Sequence, residues 1–148
     1  MVERGVPPPP EARGFRQARA ARSSVLFEDY TELIADLIAT HGEARMTDIA
    51  RCLGVAHPTA IKAVARLKRA GLAAGRPYRG VFLTEAGQAM AERSRTRHHL
   101  VVAVLRAVGV PEDAASADAE GIEHHVSEAT LHAFEAFLRR KADKPQQE

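Results

Sequence analysis

Glycine punctuation constrains this chain more than any other feature. Gly42, Gly54 and Gly71 divide residues 27–71 into three segments of helical period, and Pro58 sits where a first-turn proline opens the third. In the first segment Tyr30, Leu33, Ile34, Leu37 and Ile38 recur at spacings of three and four, the stripe of an amphipathic helix. The second is short: Thr47 and Asp48 open it, Ile49, Ala50 and Leu53 are its apolar residues, and Gly54 closes it. The third runs to about Ala70, with Ile61, Val64 and Leu67 predicted on its buried side. Two short helices joined by a turn at Gly54 make a helix-turn-helix. After it, Ala73-Ala74, the turn Gly75-Arg76-Pro77 and the branched and aromatic run to Leu83 predict two short strands, a wing.

From Thr84 the pattern is helical again. One long helix runs to about Val108, a fifth spans residues 111–125, and Ser127 caps a sixth that carries Leu131, Phe134, Phe137 and Leu138. The 148 residues suit a small DNA-binding module joined to a dimerisation module. The fold class is therefore mainly α: an N-terminal winged helix-turn-helix domain over residues 27–86, followed by an all-helical dimerisation and metal-binding domain over 87–142. Residues 1–26, rich in Pro and Arg without an apolar face, read as a flexible arm that could add phosphate contacts, and residues 143–148 as a polar tail. The arm lacks the apolar core of a signal peptide, and the longest apolar run, Leu100 to Leu105, is too short to span a bilayer. Cys52, the single cysteine, excludes an internal disulfide and a cysteine-built zinc site, which fits a cytoplasmic setting; within the short second helix it reads as a small core residue.

A net charge of +2 hides a sharp division along the chain. Residues 57–79 hold Lys62, Arg66, Lys68, Arg69, Arg76 and Arg79 with no acid, whereas residues 110–135 hold seven acids and no Lys or Arg. On the third helix Thr59, Lys62, Arg66 and Arg69 fall at i, i+3, i+7 and i+10, which places them together opposite the apolar positions. A basic stripe on the second helix of a helix-turn-helix, followed by a basic wing, points to DNA. Pro58, Thr59 and Lys62 are placed to enter the major groove, Arg66 and Arg69 to hold the phosphate backbone, and Arg76 and Arg79 to reach neighbouring phosphates or the minor groove.

The acidic half points to a cation. Glu120, Glu123 and His124 fall at i, i+3 and i+4 of the fifth helix, Asp29 and Glu32 at i and i+3 of the first, and His98 lies in the middle of the fourth. Taken singly, each is a solvated acid or a satisfied histidine. Together they form a set of carboxylates and imidazoles without thiolate, suited to Mn²⁺, Fe²⁺ or Zn²⁺, and the oxygen-rich balance leans to Mn²⁺. Six such ligands could hold two ions.

The strings Phe27-Glu28-Asp29-Tyr30-Thr31-Glu32, Arg97-His98 and Asp118-Ala119-Glu120-Gly121-Ile122-Glu123-His124-His125 resemble the manganese transport regulators of the diphtheria-toxin-repressor superfamily. So do the helix-turn-helix from Asp48 to Thr59 and the wing from Tyr78 to Thr84. The resemblance spans about residues 27–140. It implies a winged-helix domain joined to a helical dimerisation domain, with a two-ion manganese site between them held by Asp29, Glu32, His98, Glu120, Glu123 and His124. In iron-responding relatives a sulfur side chain stands at the positions of Asp29 and Glu120, so the carboxylates here favour manganese, with other divalent transition metals as substitutes in vitro. The chain also looks like the short form of the family, without a further C-terminal barrel domain. The function implied is a homodimeric repressor that binds a palindromic operator when loaded with metal and controls manganese uptake genes. Two other readings compete: a carboxylate-bridged dinuclear metalloenzyme, for which no extra acid/base is evident, and a winged-helix regulator of a small organic ligand.

Overall fold

The computed structural model describes the backbone of residues 10–144 and the side chains of residues 22–144. In chain order the elements are α1 (Pro10–His41), α2 (Met46–Leu53), α3 (His57–Arg69), β1 (Ala73–Arg76), β2 (Gly80–Leu83), α4 (Glu85–Ala107), α5 (Glu112–Ile122) and α6 (Glu128–Ala142). Tyr30, Ile34 and Leu37 of α1, Ile49 and Ala50 of α2, Ala60, Ala63, Val64 and Leu67 of α3, and Val81 of β2 form one buried cluster. Burial of that cluster fixes α2 and α3 against the C-terminal half of α1 and presents the opposite side of α3 to solvent. Strands β1 and β2 pair antiparallel from Ala73↔Leu83 to Arg76↔Gly80, and Val81 also bridges to Ala44. The wing is thereby tied to the loop after α1. Gly80 makes that tie possible: its φ is +78°, and a Cβ there would lie 2.4 Å from the Ala44 carbonyl oxygen.

Helix α4 packs on α1, α5 and α6 and joins the two halves of the molecule. Its start is fixed by Thr84, whose hydroxyl donates to the Gly71 carbonyl at 2.6 Å and accepts from the Gly87 N–H at 3.2 Å. At Gly87 a side chain has no room, because a Cβ would stand 2.0 Å from the Leu72 carbonyl oxygen. Ser127 caps α6 by accepting from the Thr130 N–H at 3.2 Å.

Four sequence expectations are corrected. Residues 10–26, read above as arm, carry the helical backbone of α1, while residues 1–9 of that arm and 145–148 of the tail lie outside the described residues. Ala, Arg, Gln and Glu have high helix propensity, and a missing apolar face removes a reason to pack, not a reason to coil. On α3 the buried residues are Ala60, Ala63, Val64 and Leu67, and Ile61 is 46% exposed. A strict step of three drifts off a 3.6-residue period, and the alanines that complete the true stripe carry little apolar signal. Cys52 is exposed rather than in the core, since α2 turns Ile49 and Ala50 inward. Finally, α5 ends at Ile122, but Glu123 keeps right-handed helical angles (φ −56°, ψ −33°), so Glu120 and Glu123 stay on one face.

Candidate functional site

The C-terminal end of α5 approaches α4 on one side and α1 on the other. His98, from the middle of α4, places Nδ1 3.0 Å from Glu123 Oε2 and 3.4 Å from Glu120 Oε1. His124 places Nε2 3.1 Å from Asp29 Oδ1 on α1 and 3.5 Å from Glu123 Oε1. Glu123, only 1% exposed, thus turns one oxygen to each imidazole. Glu32 lies one turn along α1 from Asp29, close enough to Glu120 and His98 for their charges to act on it. All six sequence-predicted ligands therefore border one region, and His98, Glu120 and Glu123 each offer an atom within 4.8 Å of the others.

The electrostatics of this region are strained in a way that a cation relieves. Among the described residues, neither carboxylate oxygen of Glu123 nor His98 Nδ1 has a hydrogen-bond partner. Burial, reinforced by the charges of Glu32 and Glu120, pushes the Glu123 carboxyl up to about 8. Asp29 is raised by burial against the opposing pull of His124, and Glu32 by burial together with Glu120 and Asp36. Protons substitute for a missing positive charge at such a site. The donors are carboxylate oxygens and imidazole nitrogens, the set suited to a divalent metal of intermediate hardness, and the buried atoms without partners are the ones such an ion would satisfy.

Two residues to which the sequence reading gave no role complete the surroundings. Glu28, 8% exposed, accepts from Arg97 at 2.6 Å through Oε1 and pairs with His124 Nδ1 at 2.6 Å through Oε2. A carboxylate only accepts, so Glu28 holds the Nδ1–H side of His124 and leaves Nε2 turned toward Asp29 and Glu123. The available signal was positional: Glu28 precedes Glu32 by four residues, on the same face of α1.

The other candidate face lies on α3 and the wing. Pro58, Thr59, Lys62, Arg69, Arg76 and Arg79 are all exposed. Arg66 is exposed too, yet its guanidinium donates to Ser23 Oγ at 3.1 Å and lies 5.5 Å from the Phe27 ring centroid, so it is held by α1. Arg76 stacks at 5.2 Å over Phe82 of the paired strand. Tyr78, to which sequence reasoning assigned no role beyond the strand, is fully exposed at the wing tip with φ +63°. A groove of about 370 Å³ runs between α1 and α3, and its walls include both Asp29 and the helix-turn-helix residues Thr59 and Lys62.

A winged helix-turn-helix with an exposed basic face, joined through α1 and α4 to a partly buried carboxylate and imidazole cluster, defines a metal-responsive DNA-binding protein. Residues 24–81 match the family description "Iron dependent repressor, N-terminal DNA binding domain", and residues 84–148 match "Iron dependent repressor, metal binding and dimerisation domain". The chain belongs to the iron-dependent repressor family. It is 50% identical over 131 residues to the transcriptional regulator MntR of Escherichia coli O157:H7, covering 88% of this chain and 84% of that protein. To the HTH-type transcriptional regulator MntR of Bacillus subtilis it is 43% identical over 101 residues, covering 68% and 70% respectively. Among solved structures, a manganese-dependent transcriptional repressor in complex with manganese superposes with a TM-score of 0.68 at 26% identity, over 76% of this chain and 52% of that one. The IdeR of T. acidophilum gives 0.64 at 28% identity, over 74% of this chain and 53% of that one. These relatives are regulators, so the chain is a transcription regulator and not an enzyme.

Proposed function

We propose that the protein is a manganese-responsive repressor that binds a palindromic operator as a metal-loaded homodimer in the cytoplasm and controls manganese uptake genes. The convergence of Asp29, Glu32, His98, Glu120, Glu123 and His124 from three helices carries this reading, together with the likeness to proteins named for manganese. Those six residues would hold the metal, two ions per subunit. When bound, the ion supplies the positive charge that the buried carboxylates lack.

The chain's own residues convert that charge into DNA affinity. Asp29 and Glu32 ride on α1, which also supplies Tyr30 and Ile34 to the core beneath α3. His98 and Glu120 ride on α4 and α5. With the acids neutralised, Asp29 and Glu32 would hold α1 against His98 of α4 and Glu120 of α5, and in a dimer such a brace would fix the distance between the two recognition helices. That distance must match one DNA turn, roughly 34 Å. Arg97 holds Glu28, and Glu28 holds His124, so one imidazole is oriented before any ion arrives.

A gel-shift assay with DNA fragments from upstream of manganese-uptake genes, with and without Mn²⁺, tests the function. Mn²⁺-dependent shifts that Glu123→Ala abolishes are expected. Equilibrium dialysis against Mn²⁺ is expected to return two ions per subunit. Retention of full Mn²⁺-dependent binding by Glu123→Ala would overturn the ligand assignment.

Among the described residues no helix is long and apolar enough to cross a membrane.

A further inference from the structure

The exposed face of α3 is not uniformly basic. At about 100° per residue, the buried positions Ala60, Ala63, Val64 and Leu67 centre on one side of the helix, and the opposite side carries Pro58, Lys62, Ala65 and Arg69. Ile61 and Arg66 lie to opposite flanks of that side, each about 70° from its centre: Arg66, with Thr59 beyond it, where the helix meets α1, and Ile61 between Ala65 and the exposed Lys68. Pro58, Ala65 and Ile61 therefore form an apolar strip toward one edge of the face, with Lys62 and Arg69 on one side of it and Lys68 on the other. Ile61, 46% exposed, is the exposed large aliphatic residue of this helix. A branched side chain left half exposed on the flank of a cationic face, with cations to either side, suits an occupant that is both anionic and locally apolar.

Duplex DNA meets both conditions. Its phosphates suit Lys62 and Arg69, and the C5-methyl of thymine is the apolar group that an ordinary base pair presents in the major groove. Ile61 is the fifth residue of α3, within the N-terminal turns that reach base edges when such a helix lies in the groove. We propose that Ile61 is a specificity-determining residue that reads a thymine methyl in each operator half-site. This rests on the operator-binding function above and adds to it the kind of base that is read.

The test uses the full-length Mn²⁺-loaded protein and a duplex that it selects from a random-sequence pool. Each thymine is replaced in turn by deoxyuridine, which removes only the methyl group. The parent is expected to lose affinity at one symmetry-related pair of positions, by about fourfold per methyl, the factor that burial of one methyl-sized group carries. Ile61→Ala is expected to bind the thymine and deoxyuridine duplexes equally at that pair, with an unchanged melting temperature and unchanged Mn²⁺ stoichiometry, because the side chain it shortens packs on the outside. Indifference of the parent to deoxyuridine at every position would overturn the role of Ile61, as would Ile61→Ala showing the parent's full discrimination. Failure of the parent to select any duplex in Mn²⁺ would overturn the operator-binding function itself, and the role of Ile61 with it.

Discussion

The Glu28 carboxylate serves two partners with its two oxygens, the Arg97 guanidinium on α4 and the His124 imidazole behind α5. Glu28→Gln keeps the shape but replaces one accepting oxygen by a donating amide, which loosens the hold on Arg97 or on His124 Nδ1 and with it the orientation of the ring. Mn²⁺ affinity is expected to fall by about ten- to a hundredfold, the usual cost of losing such a supporting group. Isothermal titration of parent and variant checks this, and equal affinities would remove Glu28 from the site. The six ligand candidates were legible in the sequence because helical spacing brings i, i+3 and i+4 to one face. Glu28 was not, because its role depends on a partner 69 residues away, and no periodicity reports a contact made across the fold.

Among the elements, the wing depends most on one backbone position. Gly80 combines a positive φ with a backbone oxygen in the place of a Cβ, so Gly80→Ala must move either β2 or the Ala44 segment. A loss of stability of about 1–3 kcal/mol is expected from the strained φ alone. Thermal unfolding measures that loss, while DNA affinity should fall further as the wing shifts Arg76 and Arg79. The helix-turn-helix, the wing and α4 were readable from glycines, prolines and caps. The extent of α1 was not: a run of alanines and arginines specifies helix by propensity without the apolar stripe that would announce it. The face of α3 was misjudged for the complementary reason. Alanines at 60 and 63 fill a close helix contact silently, and the conspicuous Ile61 is left outside.

For the whole molecule, the acidic cluster and the basic face make opposite demands on the solution. Glu123, Asp29 and Glu32 all titrate above the ordinary carboxyl range in the fold, so the folded chain holds protons that the unfolded chain has already released. Stability from this source is present at low pH and is lost as pH rises through the folded values. The metal-free protein is therefore expected to melt at a lower temperature at about pH 8.5 than at about pH 6, and saturating Mn²⁺ should remove much of that difference. A melting temperature that rises over the same range without metal would contradict the cluster's electrostatics. On the other face, Lys62, Arg69, Arg76 and Arg79, doubled in a dimer, predict operator affinity that falls with a log–log salt slope of several units, measurable by fluorescence anisotropy. The two demands meet in α1, which places Glu28, Asp29 and Glu32 within two turns of Tyr30 and Ile34, with no break in its backbone between the cluster and the core under α3. A continuous rod passes a displacement on without first having to fold or melt, so the delay between a change in ion supply and a change at the operator is set by how quickly the ion arrives and leaves.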